Sequence, residues 1–383
     1  WVAVMAQAIS CSRPLCPASA PRWVAVMAPF GFAAGAAPKR PALVVAESEE
    51  PIQDTYDAEK WPLVQGSLSE VTLRSTGALR TAWSIAKLKD TDTEAMKREV
   101  AIMKSLDHPN ILQLLRVFED AKSVYMVTEH CPGGTVLERL TAETRFEERQ
   151  ASPLMRQLFR AVRHMHERRL CHRNLQMQSL VLATPGGLGA DTVLKVSGFG
   201  CACTFEPDQP LREACGPVSY MAPEVIDREY SSSCDLWSCG VVMFCMLCGY
   251  LPFAGDSDQE VMRECHRGAF FFHPKSWGGT SECAKELIRA LLKRRPAQRC
   301  TAVQALHHEW FKGPRRRIDA AALRALGGGG PKKMDEQATE ASTSDLGALD
   351  LELDAEPAVA DDIRSPIVVN SSAKPVLFLD PSA

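Results

Sequence analysis

The polar run His172–Ser179 sets an imidazole, a guanidinium, three amides and a hydroxyl within eight residues, and no carboxylate. An amide oxygen is a far weaker base than a carboxylate, so Asn174 offers hydrogen bonding rather than proton acceptance. The remaining reactive side chains are mostly thiols, with fourteen cysteines in the chain. Only Cys245 and Cys248 stand as C-x-x-C, a spacing suited to metal or redox use, but they lie inside the apolar run Gly240–Phe253. Buried thiols in a reducing compartment are therefore expected. No D-x-[DN]-x-[DN]-G run occurs, so no intrinsic calcium-binding loop and no protein-held metal are expected.

The 383 residues, 45% hydrophobic and 24% charged, can form a large globular body without filling the whole length. A formal charge of −3 removes the electrostatic case for nucleic acid as a partner, and no 18-residue run lacks polar breaks, so no membrane-spanning helix is expected. Residues 1–46 carry no Asp or Glu, are rich in Ala and Pro, and repeat Trp1–Ala6 at Trp23–Ala28. They read as part of a low-complexity tail over 1–60. The start at Trp rather than Met points to an incomplete N terminus or a gene-model product, and the acid-free stretch leaves organelle targeting as the alternative to a cytoplasmic location. Residues 335–383 carry eleven acidic and two basic side chains, so 314–383 reads as a linker and an acidic disordered tail.

Between the tails, strand-like runs at Ser69–Arg74 and Arg80–Leu88 precede Thr91 and Glu94, a capping-box pattern ahead of Met96, Val100, Met103 and Leu106 on one helical face. Strand patterns return at Ile111–Phe118 and Ser123–Glu129, and helical periodicity dominates after that. The expectation is an α+β, bilobal fold over 61–313, with a small β-rich lobe at 61–129 and a larger helical lobe at 130–313.

Within this segment, "EVAIMKSLDHPNI" (Glu99–Ile111), "CHRNL" (Cys171–Leu175), "KVSGFG" (Lys195–Gly200), "YMAPEVI" (Tyr220–Ile226), "CDLWSCGVVMFCMLCGYLPF" (Cys234–Phe253) and "RRPAQRCTAVQALHHEW" (Arg294–Trp310) follow one another. In order and spacing they resemble the protein kinase fold, and in detail the calcium/calmodulin-dependent group with the calcium-dependent kinases of plants and protists. Phosphoryl transfer in that family rests on positioning and charge neutralisation. Here the resemblance departs from the family's pattern. The glycine loop reads Val64 to Val71 with only Gly66 kept, and the strand lysine position falls on Trp83. Lys87 is the rival: it lies four residues further on, about 13 Å along the strand, and would serve only if the strand slipped by four. Glu99 matches the helix carboxylate that should hold that lysine. Asn174, Gln176, Ser179 and Gly198 replace the catalytic Asp, a Lys, a metal-binding Asn and the Asp of D-F-G.

The resemblance also implies what is retained. Met103, Leu114, His172 and Phe199 match side chains that stack between the lobes; Glu224 and Arg299 match an ion pair of the large lobe; Asp235 matches the anchor of the catalytic loop. A nucleotide pocket, if used, would be lined by Val64, Gly66, Val71, Thr81, Thr128, Glu129, Cys131 and Val181. Thr204 and Ser219 lie between Gly200 and Tyr220, but Pro217 stands where relatives often carry Thr, so activation by phosphorylation is not suggested; Glu206 and Asp208 are candidate fixed charges. The basic stretch Lys312 and Arg315–Arg317 with Ile318–Leu326 reads as a solvated helix end, with calmodulin contact the minor alternative. The expected function is a pseudokinase, acting as a scaffold or allosteric regulator of a protein partner such as an active kinase or its substrate, with no cofactor. The alternative is a divergent Ser/Thr kinase that uses Lys87, ATP and magnesium.

Overall fold

The computed structural model describes residues 46–48, 50–87, 90–189, 191–312, 368–369 and 376–377, with backbone alone at 46–48, 90–93, 368–369 and 376–377. The described residues through Phe311 belong to one compact unit; Lys312 opens a second, 312–365, otherwise outside the description. The segment Ile318–Leu326 and most of both expected tails also lie outside the described residues, although Val368–Val369 pairs antiparallel with Val376–Leu377.

The small lobe is built on strands β1 (Ala46–Ser48), β2 (Tyr56–Ala58), β3 (Leu68–Leu73), β4 (Ala78–Ala86), β5 (Leu114–Glu119) and β6 (Ser123–Glu129), with helices α1 (Ile52–Thr55) and α2 (Asp90–Ser105). They form a single six-stranded sheet in the order β1-β5-β6-β4-β3-β2. Period-two alternation sorts the side chains to two faces. Ala82, Phe118, Tyr125 and Val127 pack outward with Ile52, Tyr56 and Leu63, whereas Trp83, Ile85, Val117, Val124 and Met126 join Met96 and Met103 of α2 in a core that continues into the large lobe. The lobe starts upstream of the expected boundary at 61, because β1, α1 and β2 fall within 46–58. Helix α2 begins at Asp90, so Thr91 lies inside it rather than at its cap.

The large lobe contains α3 (Val136–Glu143), α4 (Glu148–Glu167), short strands β7 (Leu170–Cys171), β8 (Leu180–Leu182), β9 (Leu194–Val196) and β10 (Cys203–Thr204), then α5 (Pro223–Ile226), α6 (Cys234–Cys248), α7 (Asp258–Arg267), α8 (Pro274–Trp277), α9 (Glu282–Leu291) and α10 (Ala302–Leu306). Helix α3 is started by a capping box between Thr135 and Glu138. Along α4, Ala151, Leu154, Met155, Leu158, Phe159, Val162 and Met165 recur at three- and four-residue steps and are all buried. Helix α6 is buried at every position, including the C-x-x-C pair, and burial drives the Cys245 and Cys248 thiols upward in pKa. The lobes are joined by backbone bonds at Ile111–Leu112 and Val196, with Asn110 Nδ2 donating to the Leu194 carbonyl at 3.0 Å and to Gln157 Oε1 at 2.7 Å.

Candidate functional site

The run His172–Ser179 leaves β7 and returns as β8, and its backbone hangs on Asp235 in the first turn of α6. The His172 and Arg173 amides each donate to Asp235 at 2.9 Å, and His166 Nε2 bonds it at 2.8 Å. Burial alone would raise the Asp235 pKa; the His166 contact and the amide donors outweigh it and hold the carboxyl below its ordinary value. Arg173 takes a left-handed backbone (φ 63°), steadied by its Nε donating to the Cys201 carbonyl at 2.6 Å.

Beyond that anchor the polar groups satisfy one another. Gln176 Nε2 donates to Asn174 Oδ1 at 2.9 Å, and both residues are buried. The Ser179 hydroxyl donates to the Gln176 carbonyl at 2.8 Å while accepting from the Gln176 amide at 3.0 Å, closing the turn Met177–Ser179. Gly198 sits in the left-handed region (φ 81°) and presents no side chain. His172 donates from Nε2 to the Ser197 carbonyl at 3.2 Å; its ring meets Phe199 edge-on at 4.9 Å, and burial lowers its pKa, so the imidazole is neutral. Met103, Leu114 and Phe199 share the same core.

Glu99 of α2 is buried beneath the small lobe. The Phe199 amide donates to it, yet desolvation dominates and pushes its pKa up to about 7, with no basic side chain among the described residues acting on it. Lys87 lies elsewhere: its Nζ bonds Glu119 Oε1 and the Asp120 carbonyl, each at 2.6 Å. This overturns Lys87 as the strand lysine. The β4–β6 pairing runs unbroken from Arg80↔Glu129 to Ala86↔Ser123, which leaves no room for a four-residue slip. In that register Trp83 opposes Met126 on one side and Leu68 on the other, and its indole packs on the face shared with α2.

The expected pocket residues divide. Thr81 opposes Thr128 and bonds the His130 ring at 3.1 Å, and Thr128 is buried. Val71 does not join them: pairing with Arg80 rather than Thr81 turns it into the outward cluster with Ala82 and Val127. Val64 is 69% exposed, while Gly66 uses positive φ to let its amide reach the Ser84 carbonyl at 2.7 Å. Burial, then Glu129, raises the half-buried Cys131 thiol to about 11. Val181 opposes Lys195, whose Nζ reaches both Glu129 oxygens at 2.8 Å. Sequence reasoning passed over Lys195, although it opens the run "KVSGFG".

Two ties of the segment Gly200–Tyr220 also escaped it. Cys201 and Cys215 form a disulfide, which corrects the expectation of thiols throughout, and Glu213 stands 3.5 Å from Arg173 Nη1. Of the two acids named as fixed charges, Glu206 contacts the exposed Arg169 instead. Farther out, Arg299 forks onto Glu224 at 2.5 and 3.0 Å, both residues buried. Cys171, Cys234 and Asp235 cluster, with the two sulfurs 3.6 Å apart and Asp235 accepting the His172 and Arg173 amides.

The sequence profile described as the protein kinase domain matches residues 65–311. The chain belongs to the protein kinase family. Among curated relatives, this kinase domain is 32% identical over 272 residues to "Calcium-dependent protein kinase 5" of Plasmodium falciparum (isolate 3D7), covering 70% of the chain and 47% of that protein. It is 33% identical over 265 residues to "Calcium-dependent protein kinase 3" of Plasmodium berghei (strain Anka), covering 68% and 47%. It is 40% identical over 221 residues to "Calcium-dependent protein kinase 9" of Oryza sativa subsp. japonica, covering 57% and 38%. The chain thus spans less than half the length of these relatives. Among the described residues, no helix is long and apolar enough to cross a membrane. A magnesium-bound triphosphate, the group the kinase family implies, needs a carboxylate at 198 and an amide oxygen at 179 to hold the metal, and its transfer needs a carboxylate base at 174. An amide held by Gln176, a hydroxyl closed on its own turn and a glycine do not fit it.

Proposed function

We propose that this kinase domain is a pseudokinase, a kinase-shaped binding module that acts as a scaffold or allosteric regulator of a protein partner, such as an active kinase or its substrate. The observation that carries the reading is the buried Asn174–Gln176 amide pair where a base and a cation would stand. Supporting it, Trp83 occupies the lysine position while Lys87 is engaged at the far end of β4. The scaffold is retained by contrast: Asp235 anchors the loop, and the Arg299–Glu224 fork stays in place.

Thermal melting with ATP, with and without magnesium, tests this. A ligand at a hundred times its Kd stabilises a protein by about 2.7 kcal/mol, which in a domain of this size is a shift of several degrees. No magnesium-dependent shift and no radiolabel transfer are expected from the unaltered chain. A version carrying Trp83→Lys, Asn174→Asp, Ser179→Asn and Gly198→Asp supplies the comparison. Magnesium-dependent stabilisation or phosphotransfer by the unaltered chain overturns the proposal.

A further inference from the structure

The disulfide closes a loop around the catalytic-loop residues rather than stapling a distant surface. At one end, the buried Cys201 passes its carbonyl to Arg173 Nε at 2.6 Å. At the other, Cys215 leads into Gly216 (φ 95°), where an added Cβ would lie 3.0 Å from Asn174 Oδ1 and 3.2 Å from the Arg173 carbonyl. The two half-cystines, 6.2 Å apart at Cα, therefore hold the segment down over Arg173 and Asn174. Residues 203–205 are tied to the strand before the loop, Cys203–Thr204 pairing antiparallel with Leu170–Cys171 and the Phe205 amide donating to the Arg169 carbonyl at 2.9 Å; the ties of residues 206–214 are lighter. Leu211 exchanges backbone bonds with Tyr230, the Tyr230 hydroxyl bonds the Glu213 carbonyl, and Glu213 and Glu206 meet Arg173 and Arg169 at 3.5 Å from largely solvated carboxylates. Solvated pairs of that kind contribute little on their own.

We propose that the Cys201–Cys215 disulfide is a redox latch: reduction by a dithiol frees the segment and uncovers the Arg173–Asn174 surface, and reoxidation closes it. The more accessible sulfur is that of Cys215, since Cys201 is only 4% exposed. A thiolate of the reductant attacks the Cys215 sulfur, the S–S bond breaks, and the Cys201 sulfur leaves with the electron pair and takes up a proton. The second thiol of the reductant then attacks the mixed disulfide, releasing Cys215 as a thiol. The protein gains two electrons and two protons, and the dithiol becomes a disulfide. The latch acts on the covering segment and does not depend on whether the cleft transfers phosphate.

Hydrogen exchange read by mass spectrometry on the full chain, before and after dithiothreitol, tests it, with alkylation reporting which cysteines have been reduced. Exchange of the amides from 206 to 216 is expected to rise at least tenfold on reduction, while helix α6 stays unchanged. Cys215→Ser should show the fast exchange from the outset and no response to reductant. Cys283→Ser, which removes a free thiol on α9, should respond like the parent. Should Cys215→Ser fail to fold, reduction of the parent chain decides alone. A non-reducing peptide map without the Cys201–Cys215 linkage overturns the latch. So does unchanged exchange after confirmed reduction, or loosening of α6 to the same degree, which would mark a structural staple.

Discussion

A Glu99→Gln variant is expected to melt above the parent at pH 8 and level with it at pH 4. The Glu99 carboxyl is buried against Phe199 with no cation beside it among the described residues, and desolvation raises its pKa from 4.5 to about 7. In the unfolded chain the group ionises near its ordinary value. Below about pH 4.5 it is protonated in both states and carries no penalty. As pH rises through about 7 the folded state must accept a buried charge, and stability present at low pH is lost. The shift corresponds to about 3 kcal/mol at most, or roughly 6–12 °C in a domain of this size. Glutamine keeps the shape and removes the titration. Melting curves at half-unit steps from pH 4 to 8 check this: a difference between parent and variant that stays flat across the range removes the argument. A paired glutamate would give the opposite sign, so the same experiment reads whether any lysine reaches this carboxyl.

Arg299→Ala is expected to cost about 3–5 kcal/mol, because it strands the Glu224 carboxylate in the interior. The guanidinium makes two bonds to Glu224, donates to the Lys293 and Ser233 carbonyls, and lies over the Trp237 ring at 5.3 Å. Removing both charges with Arg299→Met and Glu224→Leu should recover much of the loss, since apolar replacements of similar volume avoid the uncompensated ion. Urea unfolding of the parent, the single and the double variants separates these terms. A single variant within 1 kcal/mol of the parent would mean that the pair is wet and of little consequence.

Much of this architecture was legible because motif spacing carries physical content. Asp235, Glu224 and Arg299 were legible through the family resemblance, which implies the partners that these buried charges take. The strands at Ser123–Glu129 and around Thr72 and Thr81 declared themselves by alternation. The alternative of Lys87 stayed open in the sequence, because it turned on a slip of four along β4 that only the cross-strand pairing with β6 excludes. Other features depend on folding back in three dimensions. Val71 turns outward because of a cross-strand register that no count along one strand reveals. Cys201 and Cys215 are fourteen residues apart, and only the return of the segment across Arg173 brings their sulfurs together. The Lys195–Glu129 pair joins positions 66 apart. Strand β1 is too short for any periodicity to show, and its partner lies some seventy residues downstream.

That short strand matters for how the molecule is handled. β1 runs parallel along β5, from Ala46↔Arg116 to Ser48↔Phe118, and Ile52 and Tyr56 just after it roof Phe118 on the outward face. Cutting the chain at 61, where family likeness alone would place the start, strips that roof and bares a row of amides and carbonyls beside a large aromatic. Unpaired rows of this kind recruit other chains. A truncation meant to simplify the protein would then yield soluble aggregates, and retaining the fifteen or so preceding residues is the remedy.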